Sequence, residues 1–546
     1  MIESLRGASI AAAIWSGFPA VEDTQSMDLK KLELAFVLHQ QEKLDEAVRL
    51  YSECLSDDPG HFDALHLMGL ATYQCGRLEE AEGVFLKAIS IKSDFAQIYV
   101  NYARMLHDQK RLDEAVACYD KAITLNPDYA EAYCDRGLVL NELKRFDEAI
   151  ASYDSAVMLA SDYAMAYNNR GGSLKSLNRL AEAVASYDRA IAIDPAYAMA
   201  YSNRGVALKG LARIEEALFN QDLSITLTPD YADAYWNKGL VQLLKGDFTR
   251  GWSLYEWRKK SKEPHGNRMF SQPVWLGAES LVGKTILVHW EQGLGDSIQF
   301  CRYLAPLKAL GADVLFAPQK QLRGLMKNLD VPCDIVDEAD PSLAFDCHIP
   351  LLSLPLAFAT DESNMPGLNP YLFVEEDRIA DWRHKIGSQG FKIGVCWQGS
   401  TGAIDAGRSF SIHQFAALCD IPDVRLISLH KGEGEAQLQD LPGGLTIETL
   451  GADFDAGPDA FLDTAAAIRC CDLVISSDTA VAHLAGALGV ETWVALKHVP
   501  DWRWMLEGED SPWYPTMRLF RQQADGEWNG VFERMRAALR ARRSVG

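Results

Sequence analysis

The stretch "EQGLGDSIQF", residues 291–300, sets Asp296 at the mouth of a glycine turn, with Gly293 and Gly295 before it. Asp296 followed three places on by Gln299 fits a helix-capping pair, and Asp is among the commonest caps. A carboxylate at such a turn can also act as a general base toward a hydroxyl. A second stretch, "SSDTAVAH", opens a helix with Asp478 and Thr479 and puts His483 four residues after Thr479, on the same face. Free N–H groups and a positive dipole end make such a helix start a place for phosphate. Asp478 is equally a good cap, and His483 a candidate core histidine. Arg408, just ahead of its own expected helix, adds a fixed positive charge. No His, Asp and Glu residues show metal-ligand spacing; "DFD" at 453–455 is a lone D-x-D.

Alternating strands and helices would have to position these residues. "KTILVHW" ahead of the glycine turn is a β-rich run, and the helix after it places Ile298, Cys301, Leu304 and Leu307 on one face. "ADVLFAP" and "CDIVDEAD" are further strands. Beyond the helical connector "NPYLFVEEDRIADWRHKIG" come strands "KIGVCW", "VRLISL", "DLVISS" and "ETWVAL", with helices "RSFSIHQFAALC", "DAFLDTAAAI" and "DTAVAHLAGALG" between them. The pattern predicts two facing doubly wound sheets, with ligand at the strand carboxyl ends. The letters "DEAD" at 337–340 are not a helicase signature, since no G-x-x-x-x-G-K-[ST] loop exists in the chain.

The first half repeats every 34 residues, with units beginning at Asp28, Phe62, Ala96, Ala130, Ala164, Ala198 and Ala232. Alanine stands at the twentieth place (Ala47, Ala81, Ala115, Ala149, Ala183, Ala217), and glycine at the eighth in Gly69, Gly137, Gly171, Gly205 and Gly239. Pro59, Pro127, Pro195 and Pro229 end second helices. Small residues let paired helices approach, and Tyr99, Tyr133, Tyr167, Tyr201 and Tyr235 at the fourth place fill the space between units. This is the tetratricopeptide pattern, predicting an all-α superhelix over 28–265 whose last unit, with Gly251 at the alanine place, is a cap. The sixth place, on the expected concave face, reads Glu33, Leu67, Asn101, Asp135, Asn169, Asn203 and Asn237. Asparagine does not favour helix, so its recurrence points either to amides that bind an extended acceptor peptide or to an inherited repeat feature.

The 546 residues exceed one core, and four segments are expected: an extension (1–27), the repeats, an acceptor-side domain (266–375) and a donor domain (376–546). A net charge of −23 argues against nucleic acid and against an anionic membrane surface. Eleven cysteines without a Cys-x-x-Cys pair fit a reducing compartment, with Cys470 and Cys471 as buried thiols. "LRGASIAAAIWSGF" is short for a signal segment, and no run reaches membrane-spanning length. A cytoplasmic protein is expected.

"GLGDSIQFCRYL" and "VISSDTAVAHLAGALG" together resemble the heptosyltransferase-like glycosyltransferases of family 9, over roughly 284–520. The resemblance implies the two-domain GT-B fold, with Asp296 as catalytic base and Gly293 and Gly295 in the donor-binding turn. It implies a nucleotide-sugar diphosphate held by Asp478, Thr479 and His483, with Arg408 at the phosphate. The family usually carries glycine where this chain has Ala480. Repeats ahead of such a module are similar in layout to the O-linked N-acetylglucosamine transferases, which also carry an asparagine ladder. The layout is similar as well to bacterial fusions implicated in modifying proteins such as flagellin. Together these likenesses imply a metal-independent, inverting glycosyltransferase without cofactor, the nucleotide-sugar being a substrate. Its protein acceptor, flagellin or another bacterial protein, would meet the repeats at Asn101, Asp135, Asn169, Asn203 and Asn237. The alternative is a non-catalytic scaffold with a degenerate GT-B half; a lipid-directed heptosyltransferase suits neither the helical array nor the acidic surface.

Overall fold

Seven pairs of helices, from Met27–Gln40 to Phe248–Tyr255, follow the 34-residue period with one pair per unit. The computed structural model describes residues 27–261, 268, 270–367, 370–399, 407–457 and 461–545. The "LRGASIAAAIWSGF" stretch, part of the linker after Ser261 and the start of "DAFLDTAAAI" lie outside them. The chain divides into two compact units, 1–195 and 196–546. The division falls inside the repeats, so five helix pairs belong to the first unit and two to the second.

Within the first unit, the twentieth-place alanines Ala47, Ala81, Ala115, Ala149 and Ala183 have no exposed surface. The eighth-place glycines do a more specific job than letting two backbones approach. A Cβ built on Gly69, Gly137 or Gly171 would lie 2.6–2.9 Å from the ring of Phe85, Tyr153 or Tyr187. Each glycine is therefore the slot for an aromatic ring of the second helix, and any larger residue would displace that ring from a packed core. In the second unit the ring is replaced by Gln221, whose Nε2 lies 2.5 Å from a Cβ built on Gly205.

After the last pair the second unit turns to parallel sheet. The first sheet holds β1 (Thr285–His289), β2 (Asp313–Ala317), β3 (Asp334–Ile335) and β4 (Cys347–Pro350), in the order β3-β2-β1-β4. The second holds β5 (Phe391–Cys396), β6 (Val424–Ser428), β7 (Ile447–Glu448), β8 (Leu473–Ser477), β9 (Thr492–Leu496) and β10 (Met517–Arg521), in the order β10-β9-β8-β5-β6-β7. All strand pairings are parallel. Strand order reverses between β1 and β4 and between β5 and β8, which opens a crevice at each place.

Several expected elements are shorter or broken. The helix after β1 runs Leu294–Phe300, passes through a 3₁₀ turn at Cys301–Tyr303 and resumes at Leu304–Ala309. Pro306 cannot donate to the Arg302 carbonyl, which accounts for the break. "RSFSIHQFAALC" forms only a 3₁₀ stretch, Ile412–Leu418, capped by the Ser411 hydroxyl, and "CDIVDEAD" contributes two paired residues. The linker is not free of the sheet: the Trp275 N–H donates to the His348 carbonyl at 2.8 Å, and the His348 N–H to the Pro273 carbonyl at 3.0 Å. No described helix is long and apolar enough to cross a membrane.

Candidate functional site

The β1 turn and the helix after β8 meet. Gly295 lies against the start of the helix Ala480–Ala487: a Cβ added there would be 3.1 Å from His483 Cδ2 and 3.5 Å from Ala480 Cα. A side chain at 295 would push the two apart. Gly293 caps the helix Leu294–Phe300 at its N-terminus, and its N–H donates to Asp296 Oδ2 at 2.7 Å. Asp296 does serve a cap, but from the N3 place with Gly293 as the N-cap, three residues earlier than the Asp296–Gln299 pair expected from the sequence; Gln299 does something else.

The second oxygen of Asp296 is taken by a residue the motifs did not point to. Arg503 lies beyond β9 in "VPDWRW" and donates through Nη2 to Asp296 Oδ1. Its Nε donates to Gln299 Oε1 at 2.8 Å and its Nη1 to Asp501 Oδ1 at 2.7 Å. The guanidinium also stacks on Trp502, 4.3 Å from the ring centroid. Only 9% of the Arg503 side chain and 14% of the Asp296 side chain remain exposed, so water screens this pair little. Burial raises the Asp296 carboxyl above its ordinary range, opposed by the Arg503 charge and the Gly293 N–H. Burial acts on Asp501 too, but there the Arg503 charge and hydrogen bonds win and hold it low. Arg503 follows β9, the neighbour of β8 in the second sheet, and no motif spacing in the sequence marks it.

Asp478 and Thr479 follow β8 at the strand-order reversal. Thr479, not Asp478, takes the N-cap place; its side chain makes no cap bond, and its Oγ1 lies 3.0 Å from Ser476 Oγ. Burial pushes the Asp478 carboxyl up to about 6, and Asp501 adds to this against Trp504, Arg408 and Arg503. His483 is the core histidine of the two sequence options. It is 5% exposed, its Nδ1 lies 3.0 Å from Tyr514 Oη, and it stacks on Trp504 with centroids 5.2 Å apart. Burial, then the charges of Arg503 and Arg302, bring its pKa down to about 3, so it is a neutral imidazole. Arg408 is half-buried and lies over Gly399, where a Cβ would meet its Nη2 at 2.7 Å. Its charge reaches Asp478 and His483. Asp296, Asp478, Thr479, His483 and Arg408 therefore share one neighbourhood.

A carboxyl raised in the folded state favours folding below its unfolded pKa and loses that contribution as pH rises through the folded value. Asp478→Asn is therefore expected to melt a few degrees above the wild type at pH 7.5. The gain should shrink as pH falls through about 6 and be gone near 4. A gain that persists at pH 4 would show that charge is not its cause.

The sixth-place residues of the repeats do not form an open ladder. In the first unit, Asn101 is fully buried, with Nδ2 2.8 Å from His66 Nε2 and Oδ1 accepting from Gln97 at 3.2 Å. Asp135 is half-buried and paired with Arg104 at 2.7 Å, and half-buried Asn169 accepts from Asn168 at 3.2 Å. In the second unit, Asn203 and Asn237 are half-buried, and Asn237 donates to Ser202 Oγ at 3.3 Å. Asn101 and Asn237 each reach the residue 35 places earlier, the fifth place of the preceding repeat. These amides thus also stitch repeat to repeat. A cavity of about 650 Å³ lined by Phe219, Asp222, Lys238 and Arg250 lies on the last two helix pairs and includes none of the candidate residues.

The N-terminal region carries tetratricopeptide repeats: residues 38–100 and 130–163 match the tetratricopeptide repeat family, and 103–143 and 173–211 match the TPR repeat family. Protein FlbA of Caulobacter vibrioides is 27% identical over 328 residues, covering 55% of this chain and 54% of FlbA. The chain thus spans about half the length of the curated relative it matches. Among solved structures, MamA is 22% identical, covers 31% of this chain and 92% of its own, and gives a TM-score of 0.29. YrrB, a TPR protein with an unusual peptide-binding site, is 22% identical, covers 34% and 95%, and gives 0.31.

Proposed function

We propose that the protein is a glycosyltransferase of GT-B type that moves a sugar from a nucleotide-sugar to a protein acceptor engaged by the repeats. The observation that carries this reading is the close approach of the Asp296 turn to the helix start at Thr479, each at the carboxyl end of a parallel sheet. Asp296 takes the proton of the acceptor hydroxyl while that oxygen bonds the anomeric carbon; the bond to the diphosphate breaks, and its electron pair leaves with phosphate. Each carboxylate oxygen has a lone pair beyond those given to Gly293 and Arg503, so the carboxylate keeps capacity to accept. Burial raises its pKa and so makes it a stronger base, while the Arg503 charge opposes that rise. The leaving diphosphate is stabilised by Arg408 and by the N–H groups of the helix from Ala480, with neutral His483 beside them as a dipole rather than a cation. Asn169, Asn203 and Asn237 retain exposed surface for an acceptor segment, whereas Asn101 serves the repeat core.

A non-catalytic scaffold is the second reading, favoured by the engagement of both Asp296 oxygens. Calorimetry with UDP, GDP, CDP and ADP tests the donor half of the proposal. At least one should bind, and Arg408→Ala should weaken that binding by about tenfold or more, a loss of about 1.4 kcal/mol. No binding by any of the four, or equal affinity in the variant, would contradict the assigned site.

A further inference from the structure

The turn that carries Asp296 is held from outside the sheets of its unit, by the last repeat. Gln292, immediately before Gly293, has a φ of +56°, a left-handed conformation that costs a non-glycine residue energy and persists only where the surroundings impose it. Its side-chain Nε2 donates to Tyr255 Oη at 3.0 Å, and Tyr255 is the final residue of the helix Phe248–Tyr255. Its neighbour Glu291, 1% exposed, receives two bonds from Arg258: Nε to Oε1 at 3.1 Å and Nη2 to Oε2 at 2.7 Å. Arg258 belongs to the 3₁₀ turn Glu256–Lys260 that continues this helix, and none of its surface is exposed. It is further fixed by Ser353 Oγ at 2.9 Å, Glu256 at 2.6 Å and the Tyr255 carbonyl at 3.1 Å. From the other side, Gln319 donates to the carbonyls of Gln292 and Gly293 at 3.3 and 3.0 Å.

These bonds hold the chain on both sides from Glu291 to Gly293, whose N–H orients Asp296. We propose that Tyr255 and Arg258 are positioning residues for the Asp296 carboxylate, so that the last repeat is a working part of the catalytic site as well as a tether for the acceptor. A buried bidentate Arg–carboxylate pair fixes direction as well as distance, which a flexible Lys cannot reproduce. This rests on Asp296 being the base. The repeats could then not be exchanged at the boundary after Tyr255 without loss of turnover, however well the new array bound an acceptor.

The test uses the full chain with Tyr255→Phe and Arg258→Lys, each measured for nucleotide-sugar turnover and for binding of the nucleoside diphosphate that the wild type prefers. Each variant should lower kcat by about tenfold or more, keep nucleoside-diphosphate affinity within about twofold, and shift the acid limb of the kcat pH profile. Wild-type kcat and an unmoved acid limb would overturn the proposal, as would a parallel loss of diphosphate affinity, which signals general loosening. Should Arg258→Lys fail to fold, Tyr255→Phe decides alone, since it removes one hydroxyl and leaves the half-buried Gln292 amide open to water. Absence of turnover by the wild type on every nucleotide-sugar tried would instead overturn the glycosyltransferase reading, and this proposal with it.

Discussion

Asp296→Asn should lower turnover by about a hundredfold to ten-thousandfold, the range in which a positioned general base contributes, while the chain stays folded. At the N3 place of its helix, asparagine keeps one oxygen that can accept the Gly293 N–H. Its amide nitrogen then faces Arg503, which loses that one acceptor but retains Asp501 as its charged partner and Gln299 Oε1 as a further acceptor. The melting temperature should therefore fall by only a few degrees, and nucleoside-diphosphate affinity should hold. Loss of folding would show that Asp296 serves structure; retained turnover would place the base elsewhere.

Arg503→Met should have the largest effect on stability. It leaves the largely buried Asp296 and the part-exposed Asp501 beside Asp478 with their shared cation gone, and breaking a buried pair such as Asp296–Arg503 costs about 3–5 kcal/mol. The sign with pH is specific. Without Arg503 the folded-state pKa of Asp296, already raised by burial, rises further, and Asp501 loses the charge that holds it low. The neutral carboxyls then favour folding at low pH, and that contribution is lost as pH rises through the raised values. Melting temperature of the variant should approach that of the wild type near pH 4–5 and fall well below it by pH 8. Asp501→Asn in the same background should recover part of the loss. A melting curve with the wild-type pH dependence would mean that Arg503 is peripheral.

The repeats were legible because their signal recurs: a 34-residue period with alanine, glycine and proline at fixed places survives the loss of any single residue. The strands of the second half were legible where they are continuous apolar runs buried on both faces, as in β8, "LVISS". They were not legible where function or the sheet edge dilutes that pattern. β4 is "CHIP", with a histidine and a proline in four residues, and β10 is "MRLFR", with an arginine second and last; neither was among the strands expected from the sequence. The helix Asn529–Val545 was hidden by its arginines, although Val531, Phe532, Met535 and Leu539 on its inner face are buried. At the candidate site, motif spacing led to Asp296, Thr479 and Arg408 because each lies in or beside a turn near a strand end. It could not lead to Arg503, Tyr255 or Arg258, which lie up to 207 residues from Asp296 and matter through pairings made only by the fold. Composition also could not show that Asn101 turns into the repeat core, since the difference between it and Asn237 lies in the fifth-place neighbour: His66 in one case, Ser202 in the other.

Whether this chain breaks the bond between a sugar and a nucleoside diphosphate is tested most directly by measuring nucleoside-diphosphate release. The measurement takes a panel of nucleotide-sugars, the 546-residue chain and its Asp296→Asn variant. Release from at least one member of the panel is expected for the wild type, slow without a protein acceptor, and at least about a hundredfold less from the variant. No release from any member, or equal release by both proteins, would contradict the assignment of a glycosyltransferase with Asp296 as its base.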